Sequence, residues 1–464
     1  LLKSRRKDLH RQVARSISDQ FTTIGDAHPE VLARHWTEAG ETEAAIAQWS
    51  KAGEAARARN AFREAQESYQ QALAMLKLSP ASPERDMREL EIRQSTVQML
   101  WVTRGYSAAE TIEATEALAA VAEKGGNLRQ LVNLMVSRSM NASMSGDLRA
   151  SSMLDDRLLE LAVREGSPTS LAHAHYRQIL SRIGRGDLAG AEKHFAAWLE
   201  FSNDPGLQAT PGARIIPLGF VCGSAWMLGR ADLAREREAQ LIAAADRSNP
   251  YEAAFAALFS ANLRLLLRDH DEQAATLAAQ ALEISEENRF PFLAAYSQFL
   301  LGLARARLGD ATEGVALIGR AIAGVREIGA TGNIHRFTAG LAEAQALEGN
   351  LIEALATIEQ VLEANPEELL FRPEALNLQA ELRVKLGEAG PAEAGFHEAI
   401  ALAQKTGAKG WELRATMRLA HLLDGQGRRD EARATLAEIY GWFTEGFDTP
   451  DLKEAKALLD ELST

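Results

Sequence analysis

Small and apolar residues recur along this chain at helical spacing, and short polar breaks recur between them. The stretch Leu301–Ala321 shows the unit. Leu301 and Gly302 fall on one helical face, and Leu308, two turns on, is expected to continue it. Gly309-Asp310 then breaks the helix. A second helix follows, with Gly314, Ile318 and Ala321 at spacings of four and three. The small residues Gly302, Gly314 and Ala321 let the two helices approach closely, and Leu301 and Ile318 fill the remaining space. One such hairpin cannot bury its apolar face alone, so it needs neighbours above and below.

The same turn recurs at Gly105, Gly146, Gly186, Gly229, Asp269, Gly309, Gly349, Gly387 and Gly427, at intervals of 41, 40, 43, 40, 40, 40, 38 and 40 residues. Five residues after most of these turns stands Ala or Gly: Ala191, Ala234, Ala274, Gly314, Ala354, Ala392 and Ala432. Four further on a larger residue often follows, as at Phe195, Ile318, Ile358, Phe396 and Leu436. This small-then-large spacing resembles the second helix of a tetratricopeptide (TPR) repeat. Arg305 departs from it, standing where a TPR first helix usually carries an aromatic. The reading is therefore an all-α, TPR-like α-α superhelix, a solenoid of helical hairpins with a period of about 40 residues.

Three segments follow from the pattern. Residues 1–40 read as a helical connector, 41–440 as the repeat array, and 441–464 as a C-terminal aromatic plug and capping helix. Residues 1–24 are expected to form one basic amphipathic helix, with Leu2, Leu9, Val13 and Ile17 on one side. That helix is either a docking face or a solvated surface. A second helix over 28–39 ends at Gly40. Trp49, Gly53, Ala65, Tyr69 and Ala72 then fit one well-formed hairpin turning near Asn60. Pro80 and Pro83 mark a loop before a long helix over about 84–102, and Gly105-Tyr106-Ser107 turns that helix. Ser202–Pro217 holds three prolines and two glycines, so it is irregular, either as a spacer or as a loop over a groove. Trp442, Phe443 and Phe447 form the plug, and Thr449-Pro450-Asp451 opens the last helix.

Charge and composition narrow the function. The net charge of −13 argues against nonspecific nucleic-acid binding, which needs a basic face. Cys222 is the single cysteine, which excludes an intrachain disulfide and a Cys-based metal site. The longest uncharged run, Ile215–Gly229, is shorter than the ~20 apolar residues of a membrane span and holds three glycines. No phosphate-cradling G-x-x-x-x-G-K-[ST], H-E-x-x-H or G-x-S-x-G motif occurs. The glycine-rich GRGDLAG at 184–190 coincides with a repeat turn. His173 and His175, two apart on a helix, point roughly 200° apart and cannot share a metal. Asp and Glu are expected on exposed faces, in i,i+4 pairs with Arg or Lys. No catalytic, cofactor or metal residue is expected.

The remaining place for function is the groove of the superhelix, walled by the first helix of each hairpin. When the turn residue is counted as fifteenth in its repeat, the second, fifth, ninth, twelfth and thirteenth residues should face inward. They include His173, Tyr176, Trp226, Phe259, Tyr296, Phe299, Arg307 and Arg336. An aromatic-plus-arginine wall suits a protein, peptide or small-molecule effector.

Both ends carry a more specific signal. The opening LLKSRRKDLHRQVARSISDQF…PEVLARHWTEAGETEAAIAQWSKAGEAA resembles the junction between ATPase and TPR array in a family of bacterial signalling proteins. The closing IYGWFTEGFDTPDLKEAKALLDEL resembles the terminal segment of the same family. Those proteins join a class III adenylate/guanylate cyclase, a STAND/AAA-type ATPase and a TPR tail. The resemblance implies a cytoplasmic sensor arm, with ATP used only in modules upstream of Leu1 and the ATPase as partner in cis. It implies neither nucleic acid nor membrane as a partner. Related tails follow ATPases fused to kinases or to transcription activators, and a freestanding scaffold is the third alternative. A chain opening on Leu1 and a basic run reads as a fragment of a longer protein.

Overall fold

The computed structural model describes residues 3–105, 108–125, 128–208, 210, 212–364 and 368–464. The described residues form 25 α-helices, one short 3-10 turn and no strand. None of those helices is long and apolar enough to cross a membrane. The chain divides into two compact units, Leu1–Arg138 and Ser139–Thr464.

In the first unit the opening is two helices rather than one, Lys3–Gln20 and Thr22–Ala27, broken at Phe21. The expected apolar side also fails. Leu9 and Val13 are exposed, and the buried position is Ala14, with His10 and Ile17 half-buried beside it. A small residue lets this helix lie close against Pro29–Ala39, which a Leu or Val there would prevent. Leu2 lies outside the described residues, as do Tyr106 and Ser107 of the expected turn. The hairpin Thr42–Ala58/Phe62–Leu76 matches expectation, turning at Asn60 with a positive φ of 61°. Its helices close on Gly53, where an added Cβ would stand 2.4 Å from the Tyr69 ring.

The second unit shows why the repeat works. Ala191, Ala234, Ala274, Ala354, Ala392 and Ala432 are fully buried, and Gly314 is buried with them. The partners Phe195, Ile318, Ile358, Phe396 and Leu436 are no more than 5% exposed. At the reference hairpin Pro291–Arg307/Ala311–Glu327, a Cβ on Gly314 would meet the Gly302 carbonyl at 2.6 Å. Leu308 does not extend the buried face: it sits at the helix end and is exposed, while Leu301 is half-buried. The eight turn glycines adopt φ between 73° and 100°. At the turn without glycine the left-handed residue is Arg268 (φ 56°), one position earlier than Asp269.

The acidic residues are not all on exposed faces. Asp155, Glu238, Glu252, Glu412 and Asp451 are buried, each with a cationic partner: Arg177, Arg264, Arg214, Lys409 and Arg414 respectively. Except for Lys409–Glu412, which lies within one helix, these pairs join separate elements, a role that the i,i+4 pattern does not reveal.

Segments far apart in sequence meet within this unit. Thr331 Oγ1 donates to the Ser145 carbonyl at 2.8 Å, 186 residues away. The amides of Asp232 and Leu233 donate to Glu445 at 3.1 and 3.3 Å, and Arg235 pairs with Asp448 at 2.9 Å. Trp226 and Trp411 meet edge to face with centroids 4.6 Å apart. The array thus coils back on itself, so that the hairpin at Gly229 abuts the C-terminal segment. Within that segment Phe443 is buried, while Trp442 and Phe447 remain about half exposed, so the plug is only partly enclosed.

Candidate functional site

The first helices of five consecutive hairpins converge inside the coil: Pro250–Leu267, Pro291–Arg307, Ile334–Glu348, Arg372–Lys385 and Lys409–Gly425. Between them lies a cavity of about 350 Å³. That volume falls within the range of small-ligand sites, roughly 300–1,000 Å³. Leu266, Phe299, Leu303, Phe371 and Trp411 supply much of the apolar wall, and arginines, glutamates and two asparagines supply most of the polar wall.

Most of the charges are paired. Arg307 donates to Glu343 at 2.7 Å and to the Leu265 carbonyl at 2.8 Å. Arg268 meets Glu374 at 3.5 Å, Lys385 meets Glu381 at 3.0 Å, and Arg418 also meets Glu381. Arg414 is held by Asp451 at 2.8 Å and lies over the Trp226 ring at 4.5 Å. Burial pushes the Glu343 carboxyl up, but the Arg307 guanidinium, with Arg268 and Arg414 nearby, outweighs it and holds the group below the usual carboxylate range.

Arg336 is different. Its guanidinium lies 4.4 Å from the Phe371 centroid, 5.3 Å from Tyr296 and 5.4 Å from Phe299. It donates to the Tyr296 hydroxyl and to Asn262 Oδ1, both neutral. Burial lowers its pKa, against weaker opposing effects of Tyr296 and Glu368.

The eight sequence-expected groove residues separate into groups. Phe299, Arg307 and Arg336 border the cavity. Tyr296 stands behind Arg336, and Trp226 packs on the outer side of Trp411. Phe259 instead packs in the core against Phe255 and Phe220, and a Cβ on Gly219 would clash with its ring at 2.1 Å. The turn is displaced: with Arg268 as the fifteenth residue, the inward positions become Phe255, Leu258, Asn262, Leu265 and Leu266, of which the last three border the cavity and the first two are buried in the core. His173 and Tyr176 are buried elsewhere, on Pro168–Gly184. The same register, applied without preference for aromatics, also names Glu343, Glu374, Asn377, Glu381 and Lys385, all of which border the cavity.

The irregular stretch 202–217 is packed in part among its described residues, which exclude 209 and 211. It contains a short helix, Pro205–Gln208, and Leu207, Ala213 and Ile215 are buried. Asp204 accepts from Thr169 at 2.5 Å, Thr210 lies 3.2 Å from His173 Nε2, and Arg214 pairs with Glu252 at 2.9 Å.

Burial lowers the His173 pKa from 6.5 to about 4, against a smaller opposing effect of Asp204. The unfolded chain therefore takes up a proton, between about pH 6.5 and pH 4, that the folded chain refuses. Stability should be full above this window and fall on acidification through it, by on the order of 2–3 kcal/mol from this residue. Urea midpoints at about pH 7 and pH 4.5 measure this, and His173→Gln should flatten the difference. His175 and His194, with Nδ1 atoms 3.0 Å apart, are also lowered by burial and act in the same direction.

No protein-family model and no curated protein sequence matches the chain. Solved structures do. A Rap protein complexed with Competence and Sporulation Factor is 15% identical, covering 82% of this chain and 100% of that chain at a TM-score of 0.52. The Cut9 and Hcn1 hetero-tetramer of the APC/C is 11% identical, covering 96% and 85% at 0.51. The chain is an all-α, TPR-like solenoid. A looser likeness, at a TM-score of 0.43, 14% identity and coverage of 85% and 56%, is to a STAND protein with a TPR sensor from Pyrococcus horikoshii. At these identities the TPR-like fold is what is shared.

Proposed function

We propose that this chain is a non-catalytic sensor and interaction arm that holds an effector in the cavity of its second unit. The arm would belong to a bacterial, ATP-dependent signalling protein of the cytoplasm, with a class III adenylate/guanylate cyclase as output. The observation that carries the effector site is the convergence of five successive first helices on one cavity with an aromatic and arginine wall. The cyclase and the ATPase partner in cis rest on the likeness of the two chain ends to that family. A STAND-type transcription activator or kinase fusion, or a freestanding TPR scaffold, would use the same arm with a different output or none. An effector transmits only if it binds two packings of the arm with different affinity, and residues 1–58 are the joint through which a change would pass.

Phe299 is 1% exposed, so its removal would confound binding with folding. Leu347 borders the same cavity and is 50% exposed, which makes Leu347→Trp the cleaner obstruction. In a thermal-shift screen of peptides and metabolites, compounds that stabilise residues 1–464 should lose that effect in Leu347→Trp. Compounds that stabilise both proteins equally would place the site outside this cavity. Reading the gene upstream of Leu1 then decides among cyclase, kinase and transcription-activator outputs and a freestanding scaffold.

A further inference from the structure

Three unmet polar requirements border the same cavity. The first is charge. Arg268, Arg307, Lys385, Arg414 and Arg418 each reach a carboxylate at ion-pair distance. Arg336, the sixth cation on the lining, reaches none among the described residues, and its hydrogen-bond partners are the neutral Tyr296 and Asn262. No described carboxylate stands within ion-pair distance of this cation, buried among Phe371, Tyr296 and Phe299. Glu368 acts on it only from further off, and its Oε1 already accepts from the Leu370 and Phe371 amides, so an anion beside Arg336 is favoured.

The second is an acceptor. Asn377 is 2% exposed; its amide nitrogen donates to Glu374 at 3.3 Å, while its Oδ1 has no hydrogen-bond partner among the described residues. The third is a donor. Trp411 is 3% exposed, and its Nε1 likewise has no partner there. Buried polar groups are nearly always satisfied, and each unsatisfied one costs stability. Both atoms are closed to solvent in this packing, so a ligand in the cavity would meet them once the Asn377 and Trp411 side chains turn toward it.

Resting on the reading of this cavity as an effector site, we propose that it takes an acylated hydrophobic amino acid: a free carboxylate on Arg336, an amide whose N–H donates to Asn377 Oδ1 and whose carbonyl accepts from Trp411 Nε1, and an apolar side chain on the wall of Leu266, Phe299 and Leu303. The same chemistry is presented by an N-acyl amino acid and by the C-terminal end of a short peptide. A carboxylate alone would leave Asn377 and Trp411 unmet, and a neutral amide alone would leave Arg336 unmet.

The test uses the intact chain and calorimetric titration with N-acetyl-phenylalanine, its carboxamide, the O-acetyl phenyllactate analogue lacking the N–H, and the peptide Ala-Ala-Phe with free and amidated C-terminus. Free carboxylates should bind about 10- to 100-fold more tightly than their amides. Arg336→Gln should remove that preference without weakening the amide. N-acetyl-phenylalanine should exceed the O-acetyl analogue by about tenfold, and Asn377→Leu should erase this difference. Melting curves of both variants establish that they fold. Tighter binding of the tripeptide than of the N-acetyl compound identifies a peptide end as the source; the reverse order identifies a free acyl amino acid. Equal binding of acid and amide overturns the carboxylate assignment while leaving the cavity an effector site. Absence of binding by every probe at millimolar concentration overturns this ligand class, whereas the Leu347→Trp screen judges the effector reading separately.

Discussion

Aspartate at Ala354 or Ala432 should destabilise the second unit by roughly 2–5 kcal/mol. Both alanines are 0% exposed, and both occupy the small position of a second helix, where the facing first helix leaves no room for a longer side chain. The substitution overpacks the contact and buries a charge with no cation placed to meet it. Denaturant unfolding followed by circular dichroism measures the loss. Serine at the same positions, smaller and neutral, should cost far less, which separates charge and volume from a general intolerance to change. A variant that unfolds at the parental midpoint would mean that the close face of the second helix lies elsewhere.

The second large effect is expected at Asp155. Arg177 and Asp155 both have side chains of 0% exposure and meet at 3.1 Å, and Ser139 and Ser151 complete the carboxylate's hydrogen bonds. Arg177 also donates to the Ser151 hydroxyl at 3.1 Å. Asp155→Ala leaves a guanidinium buried without its anion and should cost about 3–5 kcal/mol. Replacing the pair together, Asp155→Leu with Arg177→Met, should recover much of that loss, because two desolvation penalties vanish along with the attraction. Unfolding free energies for the two singles and the double form a cycle that checks this. A double variant as unstable as Asp155→Ala would assign the cluster a packing role that charge pairing does not explain.

The repeat was legible because helix contacts of this kind demand small residues at fixed intervals, and the glycine turns mark the period. Gly314, Ile318, Ala354 and Ile358 all lie where the spacing places them. What the pattern concealed has local physical causes. Phe259 was displaced because Arg268 itself adopts the left-handed conformation, which a scan for glycine cannot detect. Leu9 and Val13 look like a buried stripe, but the neighbouring helix packs on Ala14. Asn377, Glu343 and Glu374 lie at the same inward register as Phe299 and Arg307, and polar residues at those positions resemble an ordinary solvated face until the coil encloses them. Asp451 reads as the first turn of a capping helix, and only the folded chain shows it reaching Arg414.

The contacts between Ser145 and Thr331 and between Asp232 and Glu445 span 186 and 213 residues. An open stack of hairpins, each touching only its neighbours, can fray from either end in small steps. A coil whose terminal segments pack on its own middle cannot, because losing the C-terminal segment also strips the Gly229 hairpin of its cover. The second unit should therefore unfold with steeper cooperativity than an open array of the same length, and exchange its amide hydrogens through larger openings. It should also fold more slowly, since closure must wait for widely separated segments to find one another.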